Sequence, residues 1–279
     1  MEQKVEKTTR TLWSRDAIAS TAHVIQGERL LTHHISVDET LLVMVRQGQK
    51  SIEWRGQTIV LSAGEAVLVS AGCSFDVTNI PLSSHAPFEA EWLSFPGLTL
   101  YAPAGTRDGD RPRALRDLRP AFLEAFRHTV ASIKEAADIP DTVASKRMEE
   151  MCAWLDNFGL ALRPGITERL GQRVRKLVVT DLLRSWAAAD VAQHFAMSEA
   201  TFRRRLQAEH TSFRQLVTEA RMGHALTLLQ VTDQTVSQIA LGVGYENPSK
   251  FSARFRARFG FNPGQIRAQG TENVPVALT

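Results

Sequence analysis

Two stretches toward the C-terminal end of this chain set arginine on a helical repeat, an arrangement suited to contacting a polyanion. In the first, Val191-Ala192-Gln193-His194-Phe195-Ala196-Met197-Ser198 leads into Phe202-Arg203-Arg204-Arg205-Leu206. In the second, Ile239-Ala240-Leu241-Gly242-Val243-Gly244-Tyr245-Glu246 leads into Phe251-Ser252-Ala253-Arg254-Phe255. Each reads as a short apolar helix, a tight turn and a second helix. That is the grammar of a helix-turn-helix, whose second helix lies in a DNA major groove. Guanidinium groups there reach guanine edges or phosphates. A tandem pair implies that one chain reads two neighbouring groove segments.

The helix signals are local. Ser198 is the expected N-cap of the first recognition helix, and Asn247-Pro248 is a cap followed by proline at the first helical position for the second. Phe202 and Leu206 fall on one face, as do Phe251, Phe255 and Phe259. The remaining faces supply the candidate DNA contacts: Ser198, Glu199, Thr201, Arg203 and Arg204 in the first unit, and Asn247, Ser249, Lys250, Ser252, Arg254 and Arg256 in the second. Three consecutive arginines cannot all face one way, so Arg205 pairs with an acid or joins the DNA face, and spacing does not separate the two. Between the units, Ser212 caps a longer helix with apolar residues on more than one face. Arg221 on that helix is expected to make an internal ion pair.

Charge supports the same division. Residues 167–279 hold 15 Lys and Arg against 9 Asp and Glu, a net +6, while residues 1–166 hold 18 against 21, a net −3. A basic tail beside an acidic head fits nucleic-acid binding confined to the tail.

The 279 residues suit two domains and are 43% apolar and 23% charged, the balance of a globular protein. No long apolar run suggests a membrane span, and no signal peptide is expected. Cys73 and Cys152 stand far apart with no CxxC, so reduced thiols and a cytoplasmic location are expected.

From His33 to Phe95 the pattern changes to short strands between glycine turns: Leu41–Val45, Ser51–Trp54, Gln57–Leu61, Ala66–Val69, Ser74–Thr78 and Phe88–Phe95. This predicts a small antiparallel barrel or double-sheet roll. The run from Gly48 through Gly56 to Leu61-Ser62-Ala63-Gly64-Glu65-Ala66-Val67-Leu68-Val69 resembles the cupin strand-turn-strand rhythm. Enzymatic cupins carry a metal set of histidines and glutamate. Here the clustered histidines are His33-His34, and adjacent strand residues point to opposite faces, so no metal, cofactor or catalytic residue is expected. Met44, Trp54, Phe75 and Trp92 either line a cavity for a small hydrophobic or carboxylate effector or fill the core. Lys50 or Arg46 anchors such a carboxylate or is simply a solvated charge.

Past Pro120, Phe122, Phe126, Val130, Ile133 and Ala137 recur at helical spacing. Then Met148, Met151, Leu155 and Phe158 form a short heptad seam, which packs on the barrel or joins a twin in a homodimer. The expected divisions are a barrel over 1–112, a helical dimerisation and linker region over 113–165, a DNA-binding domain over 166–270 and a flexible tail over 271–279. The fold class is α+β: an N-terminal cupin-like antiparallel barrel with helices, then an all-α tandem helix-turn-helix.

The run Ile239-Ala240…Gly244-Tyr245…Asn247…Phe251…Phe255…Phe259-Gly260…Asn262-Pro263…Arg267 resembles the signature of AraC/XylS-type bacterial transcription regulators. Ser212-Phe213, Arg221-Met222 and Ala225 are similar to the branch that includes virulence and acid-response activators. The chain departs from that pattern at His210, Ile266 and Arg254. The resemblance implies promoter DNA and RNA polymerase as partners, activation of transcription, and a head that senses a small molecule or mediates dimerisation. A purely structural head, controlled by expression or by a protein antagonist, fits the sequence equally. A cupin-type enzyme is the distant alternative.

Overall fold

A computed structural model of the chain describes residues 8–83, 85–101, 111–164, 170–209, 211–232 and 234–264. Gly165 of the expected linker, His210, Ile266, Arg267 and the 271–279 tail lie outside them.

The N-terminal half is built from antiparallel strands: β1 (Thr8–Arg15), β2 (Ala19–Gln26), β3 (Leu30–Ser36), β4 (Thr40–Gln47), β5 (Gln49–Trp54), β6 (Gln57–Ser62), β7 (Ala66–Val69), β8 (Ser74–Ile80), β9 (Phe88–Phe95), β10 (Leu98–Leu100) and β11 (Arg113–Leu115). Helices α1 (Pro120–Lys134) and α2 (Asp141–Asn157) follow, then β12 (Leu162–Pro164). One sheet runs β1-β2-β9-β4-β7-β11, a second runs β3-β8-β5-β6, and β10 pairs with β12. The β5–β6 hairpin turns on Arg55 and Gly56, both at positive φ (48° and 77°), the requirement of a two-residue type I′ turn.

The larger sheet is the middle layer of three, and strand parity shows why. Ala66 and Leu68 of β7, Leu42 and Met44 of β4, and Leu93 and Phe95 of β9 face a core shared with Phe122, Phe126, Met151 and Leu155 of α1 and α2. Their neighbours Val67, Val69, Val45, Phe88 and Ala90 face the other way, into the core between the two sheets with Ile52, Leu61 and Phe75. Both faces being covered, all four residues of β7 are buried.

This parity bears on the choice between pocket and core for the candidate effector residues. Met44 points at the helices, while Phe75 and Trp54 belong to the inter-sheet core, so the set does not converge. Trp92 is half-buried on β9 opposite Val43. Lys50 is no solvated charge: it is 8% exposed, its Nζ donates to Asn79 Oδ1 at 2.7 Å and it lies 5.1 Å from the Phe88 ring centroid. Asn79 Nδ2 in turn donates to Gln26 Oε1 at 2.9 Å. Arg46 is also taken, by Glu91 at 2.9 Å.

The heptad seam is likewise spent inside the chain. Met148, Met151 and Leu155 pack on α1 and the middle sheet, with Met151 and Leu155 fully buried, so this face of α2 is not available to a twin. Phe158 stays 38% exposed and stands edge-on to Phe122 at 5.5 Å.

The C-terminal half is helical: α3 (Leu170–Val179), α4 (Ala188–His194), α5 (Glu199–Ala208), α6 (Phe213–Val231), α7 (Val236–Gly242) and α8 (Pro248–Phe259). All six contribute to one core. No helix among the described residues is long and apolar enough to cross a membrane.

Leu155→Ala is expected to lower the unfolding free energy by about 2–5 kcal/mol, the cost of a buried large-to-small change. Its sedimentation mass should equal that of the wild type. A loss of mass with an unchanged unfolding midpoint would show the seam to be intermolecular.

Lys50 generates a second expectation. Burial pulls its pKa from 10.5 to about 7. The unfolded chain keeps this proton up to its ordinary value, whereas the folded chain releases it near 7. Lys50 therefore destabilises the fold most below about pH 7, and the penalty fades as pH rises toward 10.5. In urea unfolding, the stability advantage of Lys50→Met over wild type should be largest near pH 6 and shrink above pH 7 by at most about 1.4 kcal/mol per pH unit. A gap that stays constant across that range contradicts the assignment.

Candidate nucleic-acid interface

The first unit is α4, a turn, and α5. Ala196 takes the left-handed conformation (φ 53°) and Met197 N–H donates to Ala192 O at 2.9 Å, closing α4. Ser198 Oγ accepts from Thr201 N–H at 3.3 Å and so caps α5. Phe202 and Leu206 are buried and anchor α5, with Phe202 edge-on to Phe213 of α6 at 5.8 Å.

Helical phase then decides what faces outward. At about 100° per residue, Arg204 stands about 160° from Phe202, and Ala200 and Gln207 share that outer face. All three are exposed. Arg203 and Thr201 flank it on opposite sides. Arg203 is ion-paired with Glu199 one turn back, an exposed pair worth little by itself. Arg205 pairs with no acid among the described residues and does not join the outer face: its Nη1 leans on Met197 Sδ at 3.8 Å, against the turn.

The second unit is α7, a turn, and α8. Thr235 and Gln238 form a reciprocal capping box at the start of α7, a T-x-x-Q signal present in the sequence but not read there. Gly244 (φ 81°) is required on two counts, since a Cβ there would fall 2.5 Å from Leu182 O and 2.8 Å from Arg221 Cζ. Asn247 Oδ1 accepts from Ser249 N–H at 2.8 Å and Lys250 N–H at 3.1 Å. Ser198 and Asn247, both expected at the DNA, thus spend their side-chain oxygens on the helix starts.

Phe251, Phe255 and Phe259 are buried, and Tyr245 and Phe261 extend their row of rings at centroid separations of 5.6 Å and 5.8 Å. By the same phase the outermost positions of α8 are Lys250, Ala253 and Ala257, with Arg254 on one flank and Ser249 and Arg256 on the other. All six are exposed, and Ser252 is half-buried. Small residues on the outer line let a helix approach base edges, where alanine suits the thymine methyl. Gln207, Ala253 and Ala257 also lie on these outer faces, where helical phase rather than residue polarity places them.

The two units are joined through α6. Among the described residues Arg221 makes no ion pair; it donates to Gly244 O and to Arg184 O, each at 3.0 Å, stitching the second turn to the segment after α3. Glu209, at the end of α5, accepts from Leu170 and Gly171 N–H at 2.9 Å each and caps α3.

The head contains one open groove of about 310 Å³, between β9, β10 and α2, lined by Ile18, Phe95, Pro96, Leu98, Met148, Glu149 and Cys152. None of the five residues expected to form an effector site lines it. Burial, with Glu149 alongside, pushes the Cys152 thiol up, away from the reactive thiolate.

Comparison with known proteins fits this geometry. Residues 191–269 match the family described as a helix-turn-helix domain. The chain is similar to the transcriptional regulator SirC of Salmonella typhimurium (strain SL1344), 37% identical over 92 residues that make up 33% of this chain and 31% of SirC. It thus spans about a third of that relative's length. It is also similar to the thermoregulatory protein LcrF of Yersinia pestis, 27% identical over 245 residues, 81% of this chain and 88% of LcrF. In fold it resembles wild-type ToxT of Vibrio cholerae strain SCE256, solved with a bound unsaturated fatty acid, at a TM-score of 0.67, 13% identity and coverage of 97% of this chain and 98% of ToxT.

Proposed function

We infer that this chain, which carries an AraC-type helix-turn-helix domain over residues 191–269, is a promoter-binding transcription regulator, acting as an activator in concert with RNA polymerase. Helices α5 and α8 enter two adjacent major-groove segments. The observation that carries this reading is the outer face of each helix. Each is N-capped, is anchored by buried phenylalanine, and presents an exposed row over a shared core: Ala200, Arg204 and Gln207 on α5, and Lys250, Ala253 and Ala257 flanked by Arg254 and Arg256 on α8. Arg204 suits a guanine edge and Gln207 an adenine edge. Lys250, Arg254 and Arg256 suit phosphates, whose neutralisation makes binding salt-sensitive. The names of SirC and LcrF, both regulators, support the same class.

The filled inter-sheet core favours a head that is a structural platform, its activity set by expression or by a protein antagonist. A second reading has one observation in its favour. The groove beside Cys152 is large enough for a small ligand, and a protein of the same fold has been solved with a fatty acid. Glu149 at that groove, held by Lys146 at 2.7 Å, makes it a poor seat for a carboxylate.

Selection of random duplexes by the full chain is expected to enrich an asymmetric site: two different half-sites about 10 base pairs apart, centre to centre. On the enriched site Arg204→Ala should cost about 1–3 kcal/mol and relax preference at one or two positions. Enrichment of a palindrome, or of nothing, rejects the tandem reading. An equal loss on every sequence moves Arg204 to a phosphate.

A further inference from the structure

Glu219 lies in the middle of α6, 8% exposed, where a carboxylate must be answered by charge. Its Oε2 accepts from Arg175 Nη2 at 2.9 Å. Its Oε1 accepts from Gln215 Nε2 at 3.0 Å and lies 3.6 Å from Arg258 Nη1. Arg175 belongs to α3, which packs with the first unit, and Arg258 belongs to α8, the recognition helix of the second. One buried carboxylate therefore ties the two units together across the core.

Among the described residues of the C-terminal half, one carboxylate serves this cluster. Two guanidinium groups meet one carboxylate, and burial, with the nearby charge of Arg175 added, pulls the Arg258 guanidinium below its ordinary value against the attraction of Glu219. The second negative charge comes from the head. Asp38, between β3 and β4, accepts from Arg175 Nη1 at 2.7 Å, so the planar fork of Arg175 serves one acid in each half of the chain. The head touches the same two helices nearby: Gly72 lies against Gln172 of α3, and Gly260, which ends α8, lies against His33 of β3.

We propose that Asp38 and Glu219 are positioning residues for DNA reading: the relay Asp38–Arg175–Glu219–Arg258 fixes the setting of α8 relative to the first unit, and docking of the head completes it. This rests on the reading that α5 and α8 occupy adjacent groove segments. With Asp38 neutral, Arg175 draws Glu219 toward itself, the contact of Glu219 with Arg258 weakens, and α8 is held less firmly. The head thereby controls how strictly the chain measures the distance between half-sites, without touching DNA.

The test uses the full chain and the Asp38→Asn variant. Asp38 is half-exposed and asparagine keeps its shape, so the fold is retained. Each protein is titrated with the enriched duplex and with versions carrying one base pair more or fewer between half-sites. The wild type should discriminate against altered spacing by roughly tenfold or more. Asp38→Asn should hold the native spacing within about threefold of wild type yet lose most of that discrimination, while its recognition-helix base preferences stay as they were. Glu219→Gln should show the same loss and Glu219→Asp should restore part of it. In hydrogen exchange, the α8 amides should open faster in Asp38→Asn than in wild type. An Asp38→Asn protein that binds with undiminished spacing discrimination overturns the proposal. A wild type without sequence-selective binding overturns the DNA reading instead. Hydrogen exchange then judges the relay alone, and unchanged α8 exchange in Asp38→Asn sinks it.

Discussion

Leu216, Ala220, Met222, Ala225 and Leu229 carry α6 through the middle of a core to which both helix-turn-helix units contribute. A helix buried on several sides cannot turn about its axis without breaking contacts on both halves, so α6 sets the separation of α5 and α8. Polar contacts along it reinforce that constraint at three levels. Ser212 caps its start, Glu219 meets Arg175 and Arg258, and Arg221 reaches two carbonyl oxygens beyond it. On the proposed reading, two short recognition helices, each marginal alone, act as a single rigid gauge because they share this spacer. On the same reading the differences between their outer faces make the gauge directional, since Arg204 and Gln207 at one end have no counterpart in the alanines of α8.

The head obeys a different logic. Its middle sheet is covered on both faces at β7, which leaves that strand wholly apolar, and the head holds two separate cores. The side chains that a barrel would need to clear for a ligand instead fill space: Met44 among the helices, Phe75 and Ile52 between the sheets. Lys50 survives in the inter-sheet layer by leaning on Asn79 and Phe88. On the proposed reading a head packed in this way transmits position, in keeping with its contacts to α3 and α8.

What the sequence disclosed follows from how local each signal is. The caps at Ser198 and Asn247 and the phenylalanine row of α8 are short-range patterns, and both recognition helices form where those patterns put them. The hairpin at Arg55-Gly56 was legible for the same reason. Strands β1 and β2 were missed: Thr9, Arg10, Thr11 and Ser14 keep β1 mostly polar, as an outer strand allows. Met44, Trp54, Phe75 and Trp92 stayed open between cavity and core because hydrophobicity does not reveal which of two cores a strand residue faces; only its parity in the sheet does. The seam on α2 was recognised as a face, but a heptad does not state what covers it. Arg175 finds Asp38 at a separation of 137 residues, and no local pattern foretells that.

The most direct test of the account is guanine-methylation interference on the enriched duplex with the full chain. It should give two clusters of interference on one face of the DNA, about one helical turn apart. Arg204→Ala should erase one cluster and leave the other, and Lys250→Ala with Arg254→Ala should weaken only the second. A single cluster, or two clusters that fade together in Arg204→Ala, would contradict independent reading by α5 and α8.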